Sequence, residues 1–246
     1  MTGTRVSAYP SILSIREISM KDTVSERTRR LALSAVFCAL AFLVTLIPAP
    51  RVQGFLSFDI KDAVIATASL LLGPAVSVSL SFAVPFLEFV TSGSTGIIGL
   101  LMDVASTAAF SVTAALIYKY RKSLTGALLS LSAAVLLQVA VMMLCNVLIT
   151  PFYMEQPREV IVAMLLPLLL PFNLVKSVFN ASLVMLLYKP TSEALRRAGL
   201  LRGKGERSGY RFGGKSLIVF SVSLLAVIGT VLLLFLVLGA SWGGAA

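Results

Sequence analysis

The chain contains no histidine. That absence removes imidazole-based zinc sites, the two-histidine helix motif of metalloproteases, and any serine or cysteine nucleophile served by a histidine base. Cysteine is scarce too: Cys38 and Cys145 both stand in apolar runs and read as small packing residues rather than a disulfide or redox pair. Charge is thin, with Asp, Glu, Lys and Arg making up 13% of 246 residues, where a soluble domain carries about a quarter. Acids are the rarer sign, 11 against 21 bases, which leaves a net charge of +10. The bases sit between apolar runs, so they report membrane orientation rather than a nucleic-acid-binding face. No nucleic-acid partner is expected.

What is there is apolar. Hydrophobic residues make up 57% of the chain and the mean hydropathy is +0.93, the composition of an integral membrane protein whose first partner is the lipid bilayer. Apolar runs over 31–48, 63–73, 74–91, 97–118, 124–150, 160–188 and 217–238 predict an all-α bundle of seven segments. The second and third are short for straight spans of about 20 residues and read as short helices joined at Gly73-Pro74. The polar tail 1–30, the 119–122 loop and the 189–215 segment carry most of the bases and fall on one side. Only Arg51, Lys61 and Arg158 fall on the other, so the positive-inside rule makes the first side, and with it the N-terminus, cytoplasmic.

One stretch organises the rest. From Pro167 to Lys189 the chain is apolar enough for a bilayer, yet it carries Asn173 and Lys176 one helical turn apart. An ammonium near mid-membrane costs roughly 2.5–3.5 kcal/mol on insertion scales. Lys176 precedes Lys189 by about 20 Å of helix, too far to snorkel easily to that face. Pro171 frees a backbone carbonyl beside the same site. Lys176 therefore reads as ligand-binding, against the alternative of a lysine paired with a buried acid for packing alone.

Other polar groups lie in the outer half of the membrane: Asn146 near the end of its helix, Asp103 two turns inside the start of its own, and Glu88 near the surface. Glu88 and Asp103 are expected to be the only intramembrane acids. No row of acids or bases runs through the spans, so a proton relay is not indicated. An outward-opening cavity lined by amides, one lysine and aromatic groups such as Phe172 fits capture of a small ring compound with a polar edge. Residues 48–62 hold Pro48, Pro50 and Gly54 beside the apolar Phe55, Leu56 and Phe58, a composition that suits either a lid over the site or a loop resting at the membrane interface.

Ala35 and Ala39 form a small-xxx-small pair that permits close approach of another helix. Gly209 to Ser216 fits the phosphate-loop pattern, but a basic linker precedes it and an apolar span follows, where a nucleotide site needs a strand delivering the loop to a helix in an α/β domain. Lys215 reads instead as an anchor for the last span. Asn180-Ala-Ser182 matches a glycosylation sequon but lies within a span.

Three segments carry a family resemblance: Phe58-Asp59-Ile-Lys-Asp62, Asn146-Val-Leu-Ile-Thr150-Pro151-Phe-Tyr153 and Pro171-Phe172-Asn173-Leu-Val-Lys176. In order and spacing, over about 31–190, the chain resembles the riboflavin-specific S component of energy-coupling-factor (ECF) transporters. The resemblance implies a six-helix membrane domain over 31–190 that binds riboflavin in an outward-facing pocket capped by the loop after helix one. It implies that Asn146, Asn173 and Lys176 hydrogen-bond the flavin, with Phe172, Phe55, Leu56, Thr150 and Asp103 completing the candidate substrate-binding set. It implies that Ala35 and Ala39 pack against a transmembrane coupling subunit driven by two ABC-type ATPases, in a bacterial cell membrane. No cofactor is expected, riboflavin being the transported ligand, and no ATPase activity of the chain's own.

Around that domain the sequence places a cytoplasmic tail over 1–30, a basic cytoplasmic linker over 191–215 and an additional transmembrane segment over 216–246, which departs from the family pattern. Specificity for another vitamin is an alternative, since a fold does not dictate its ligand. A stand-alone secondary transporter would show repeat symmetry between halves, and none is visible. A membrane-embedded transferase would need paired acids or a nucleophile with its base, and the two intramembrane acids are on separate helices.

Overall fold

A computed structural model describes residues 12–48, 50–52, 56–92, 96–201 and 214–236. Phe55 and Gly54 of the candidate lid and most of the phosphate-loop-like run lie outside those residues. Helix α1 runs from Ile12 to Thr45. Its inward face is set by helical spacing: Leu33, Phe37 and Ala41 recur every four residues and are buried. On the opposite side Ala35, Val36, Ala39, Leu40 and Leu43 are exposed.

After Pro48 the chain makes a small antiparallel hairpin, β1 (Arg51–Val52) against β2 (Leu56–Ser57), with Val52 opposite Leu56. The Phe58 N–H donates to the Pro50 carbonyl at 3.0 Å and closes its base. Helices α2 (Lys61–Leu72) and α3 (Pro74–Ser92) follow, joined at Gly73, whose φ of 102° favours glycine. Then come α4 (Gly96–Tyr120) and α5 (Leu124–Leu148). The Ser123 hydroxyl accepts the Gly126 N–H at 3.0 Å and caps the start of α5.

Two short helices, α6 (Thr150–Met154) and α7 (Arg158–Met164), lead into a π-helical turn over Leu165–Leu169. Helix α8 continues from Leu170 to Arg197, and α9 runs from Gly214 to Leu236. Among the described residues, six helical stretches are long and apolar enough to cross a membrane: Glu26–Thr45, Pro74–Thr91, Gly96–Tyr120, Leu124–Leu148, Arg158–Arg197 and Ile218–Leu236. The chain is thus an all-α multi-pass membrane protein, as the composition predicts.

The second predicted segment is different. At twelve residues, α2 is about 18 Å long, too short for a hydrocarbon core of about 30 Å. Ten of those twelve residues are buried. It packs against α1, α3, α4 and α8, so it is the central post of the bundle rather than a lipid-facing span. Small side chains make this possible: Ala63, Ala66, Ala68 and Ser69 let the surrounding helices come close. One apolar cluster joins α2 to α4, α5 and α8 through Phe110, Ala114, Leu131 and Val184. A second joins it to α1 and α3 through Phe37, Ile65, Leu80 and Val84.

Candidate substrate-binding site

The π turn positions the conspicuous polar stretch. Within it the Leu170 N–H donates five residues back, to the Leu165 carbonyl. Such single-turn bulges are frequent at functional sites. Immediately beyond, the Asn173 Nδ2 donates to the Leu169 carbonyl at 2.8 Å, and Asn173 is buried. One turn further, Lys176 Nζ donates to Asp59 Oδ2 at 2.7 Å. Both side chains are largely shielded, at 12% and 14% exposure. The Asn180 Nδ2 donates to the Asp59 carbonyl at 3.4 Å and to the Lys176 carbonyl at 3.2 Å. Lys176 and Asn180 therefore meet Asp59 at the end of the hairpin segment, with Asn173 one turn before Lys176 on α8.

Aromatic rings back this edge. Phe58 lies edge-on to Phe172, with centroids 6.4 Å apart, and against Phe179 at 4.8 Å. Leu56 packs on the same cluster. Among the described residues, the hairpin segment is thus seated on α8 through Leu56 and Phe58.

The other candidate residues form two further groups. Asn146 donates from Nδ2 to the Met142 carbonyl at 2.7 Å, and its Oδ1 accepts the Thr150 hydroxyl at 2.9 Å; both residues are buried. Asp103 pairs with Lys61, which also reaches Glu88. Lys61 opens α2 and is 1% exposed, so it is no outer-loop charge, contrary to the expectation. Removing an ammonium from water costs several kcal/mol. Carboxylates from α3 and α4 offset that cost here.

A further acid corrects the expectation that Glu88 and Asp103 stand alone. Asp62 is 1% exposed, accepts the Thr107 hydroxyl at 2.7 Å and the Gln138 Nε2 at 3.1 Å, and forms no salt bridge among the described residues. Gln138 also donates to the Ser106 hydroxyl at 2.9 Å. Asp59, Lys61 and Asp62 belong to a segment that carries the family resemblance, but none of them is among the site residues expected from the sequence. The available signal was their position at the head of an uninterrupted apolar helix.

Several buried acceptors in this polar core, Asp59 Oδ1, Gln138 Oε1 and Asn180 Oδ1, have no hydrogen-bond partner among the described residues. Unsatisfied buried acceptors are costly and call for donors. The arrangement offers an ammonium and amides as donors and orphan oxygens as acceptors beside aromatic walls, a set that suits a small-molecule site, and no group of acids, cysteines or histidines among the described residues suits a metal.

A membrane-embedded small-molecule binder of this helical form is the class that the fold and site define. The model of the ECF transporter substrate-specific component matches residues 29–188, and the chain belongs to that family. It is a transporter subunit, not an enzyme. The chain is 23% identical over 180 residues to the "Riboflavin transporter RibU" of Staphylococcus aureus (strain TCH60), an alignment covering 70% of this chain and 95% of that protein. It also superposes, with a TM-score of 0.59 at 24% identity, on a solved chain described as "Structure and mechanism of the S component of a bacterial ECF transporter", covering 70% of this chain and 99% of that one. That likeness is one of fold.

Proposed function

We propose that this chain captures riboflavin at the outer face of a bacterial membrane and delivers it inward with an ATP-driven partner module. One observation carries the reading: the hairpin segment and α8 meet at Lys176 and Asp59, with Asn173 beside them and the Phe58–Phe172 wall behind. An isoalloxazine ring has a flat apolar face, which aromatic walls bury, and an imide edge of alternating donors and acceptors. Amides serve both kinds of partner and a lysine serves the acceptors. The named riboflavin transporter among its relatives supports the same ligand.

Asn146, Asn173 and Lys176 take the flavin's polar edge or ribityl chain in this proposal, and Phe172, Phe55, Leu56 and Thr150 line the pocket. Asp103 is given a supporting place, through Lys61. The N-terminus is cytoplasmic. Ala35 and Ala39, on the exposed face of α1, receive the helices of a coupling subunit, whose two ATPases supply the energy that this chain does not.

The test is purification from riboflavin-containing medium, followed by titration of stripped protein with riboflavin, thiamine and biotin. A yellow preparation with flavin absorbance, and tight rebinding of riboflavin alone, is expected. A colourless preparation that binds thiamine or biotin instead moves the chain to another vitamin within the same family.

A further inference from the structure

The family match ends at residue 188, and α9 begins at Gly214. Most of α9 presents apolar side chains outward: Ile218, Val222, Leu225, Leu232 and Leu236 are all exposed. Its first half borders a groove of about 400 Å³ whose α9 wall is Val222, Ser223 and Ala226. Near the other end the contact is close. Leu234 is 1% exposed and shares a cluster with Val52 and Phe58 of the hairpin segment and with Phe172, Val175 and Phe179 of α8. Val231 and Val227, one and two turns earlier, pack on the same cluster.

We infer that Leu234 is the positioning residue for the lid: it fastens Val52 and Phe58 of the hairpin segment to α8, so that α9 sets how often the site opens. The geometry leaves little alternative for the hairpin. Val52 is fully buried although its strand is only two residues long, and Phe58 is 4% exposed. Isolated two-stranded ribbons are marginal at best. The hairpin's order must therefore come from what it rests on, and α9 supplies one side of that support. Lifting it bares Leu234 and Phe58 together, at the end of α9 nearest the aqueous face that the lid covers. A lid held this way slows escape of whatever lies beneath and leaves diffusional entry less affected.

The inference rests on the lid reading above, and its test runs without ligand. In the full chain with Cys38→Ala and Cys145→Ala, a cysteine replaces Val52 in one version and the buried core residue Ala115 in another, and labelling by a water-soluble maleimide is timed. Leu234→Ala should speed labelling at position 52 by roughly tenfold, the factor given by about 1.4 kcal/mol of lost packing, and leave position 115 unchanged. Leu234→Val should give an intermediate rise, Leu234→Met should restore the slow rate, and Leu236→Ala on the exposed face should do nothing. Equal rates at position 52 in all variants, or a parallel rise at 52 and 115, overturns the inference, the second by showing a general loosening. Where riboflavin binds, a faster off-rate at constant on-rate is the matching signature. If riboflavin does not bind, the labelling result still decides the role of Leu234.

Discussion

Lys176 and Asp59 are 117 residues apart in sequence, yet the ammonium of one donates to the carboxylate of the other at 2.7 Å. The pair ties the segment after the hairpin to the helix that carries Asn173. A ligand carbonyl approaching Lys176 meets a donor already engaged on one side. An ammonium has three protons, so it serves both partners without giving up the first.

Replacing Lys176 by Met should therefore have two separable effects. Flavin affinity should fall by roughly 1.5–3 kcal/mol, the range for a charge-assisted bond. The melting temperature in detergent should also fall, because Asp59 is left buried without its cation. Adding Asp59→Asn should recover the melting temperature and leave affinity low. Recovery of both would assign Lys176 to packing alone.

Lys61 should behave as a structural ion. Lys61→Met removes the cation that faces Glu88 and Asp103, and because those carboxylates are 34% and 23% exposed, the loss is screened to roughly 1–3 kcal/mol. Chemical or thermal denaturation in detergent should show a loss of that order. Pairing the change with Asp103→Leu should regain a large part of it, since the uncompensated charge is gone.

The exposed face of α1 should matter for uptake and not for binding. Ala35→Trp with Ala39→Trp places bulk on a face that no helix of this chain covers in the described residues. Riboflavin titration should be unchanged while uptake by cells expressing the coupling module is abolished. Loss of binding as well would show that the alanines support the fold.

The hairpin contacts should govern dissociation. Leu56→Ser with Phe58→Ser removes apolar groups seated on Phe172 and Phe179. Stopped-flow fluorescence with an excess competitor should show a faster off-rate and little change in on-rate. A wild-type off-rate would mean that the segment rests on the membrane surface without gating.

Much of this was legible in the sequence. Long apolar runs give spans, and a lone amide–lysine pair inside one of them stands out because ions in lipid are expensive. The misreadings have a common cause. Lys189-Pro190 resembles the end of a span, yet α8 continues through it to Arg197, because a single missing N–H is tolerated in an otherwise supported helix. Asp59, Lys61 and Asp62 fall in the connection between two apolar runs, and only their place at the head of an apolar helix hints that they are buried. Their partners come from α3, α4, α5 and α8, between 27 and 121 residues away. Sequence proximity carries no trace of those pairings.

The central position of α2 also sets an order for biogenesis. A twelve-residue helix headed by Lys61 and Asp62 inserts poorly alone, since each such residue at mid-membrane adds about 2.5–3.5 kcal/mol on the translocon scale. Lys61 finds Glu88 and Asp103 once the next 27 and 42 residues have been synthesised. Asp59 must wait for Lys176, and Asp62 for Gln138. On this order, α2 is expected to complete its polar contacts only once α8 has emerged. Ribosome stalling before residue 176 should trap a protease-sensitive intermediate in which α1 is inserted and α2 is not yet sealed.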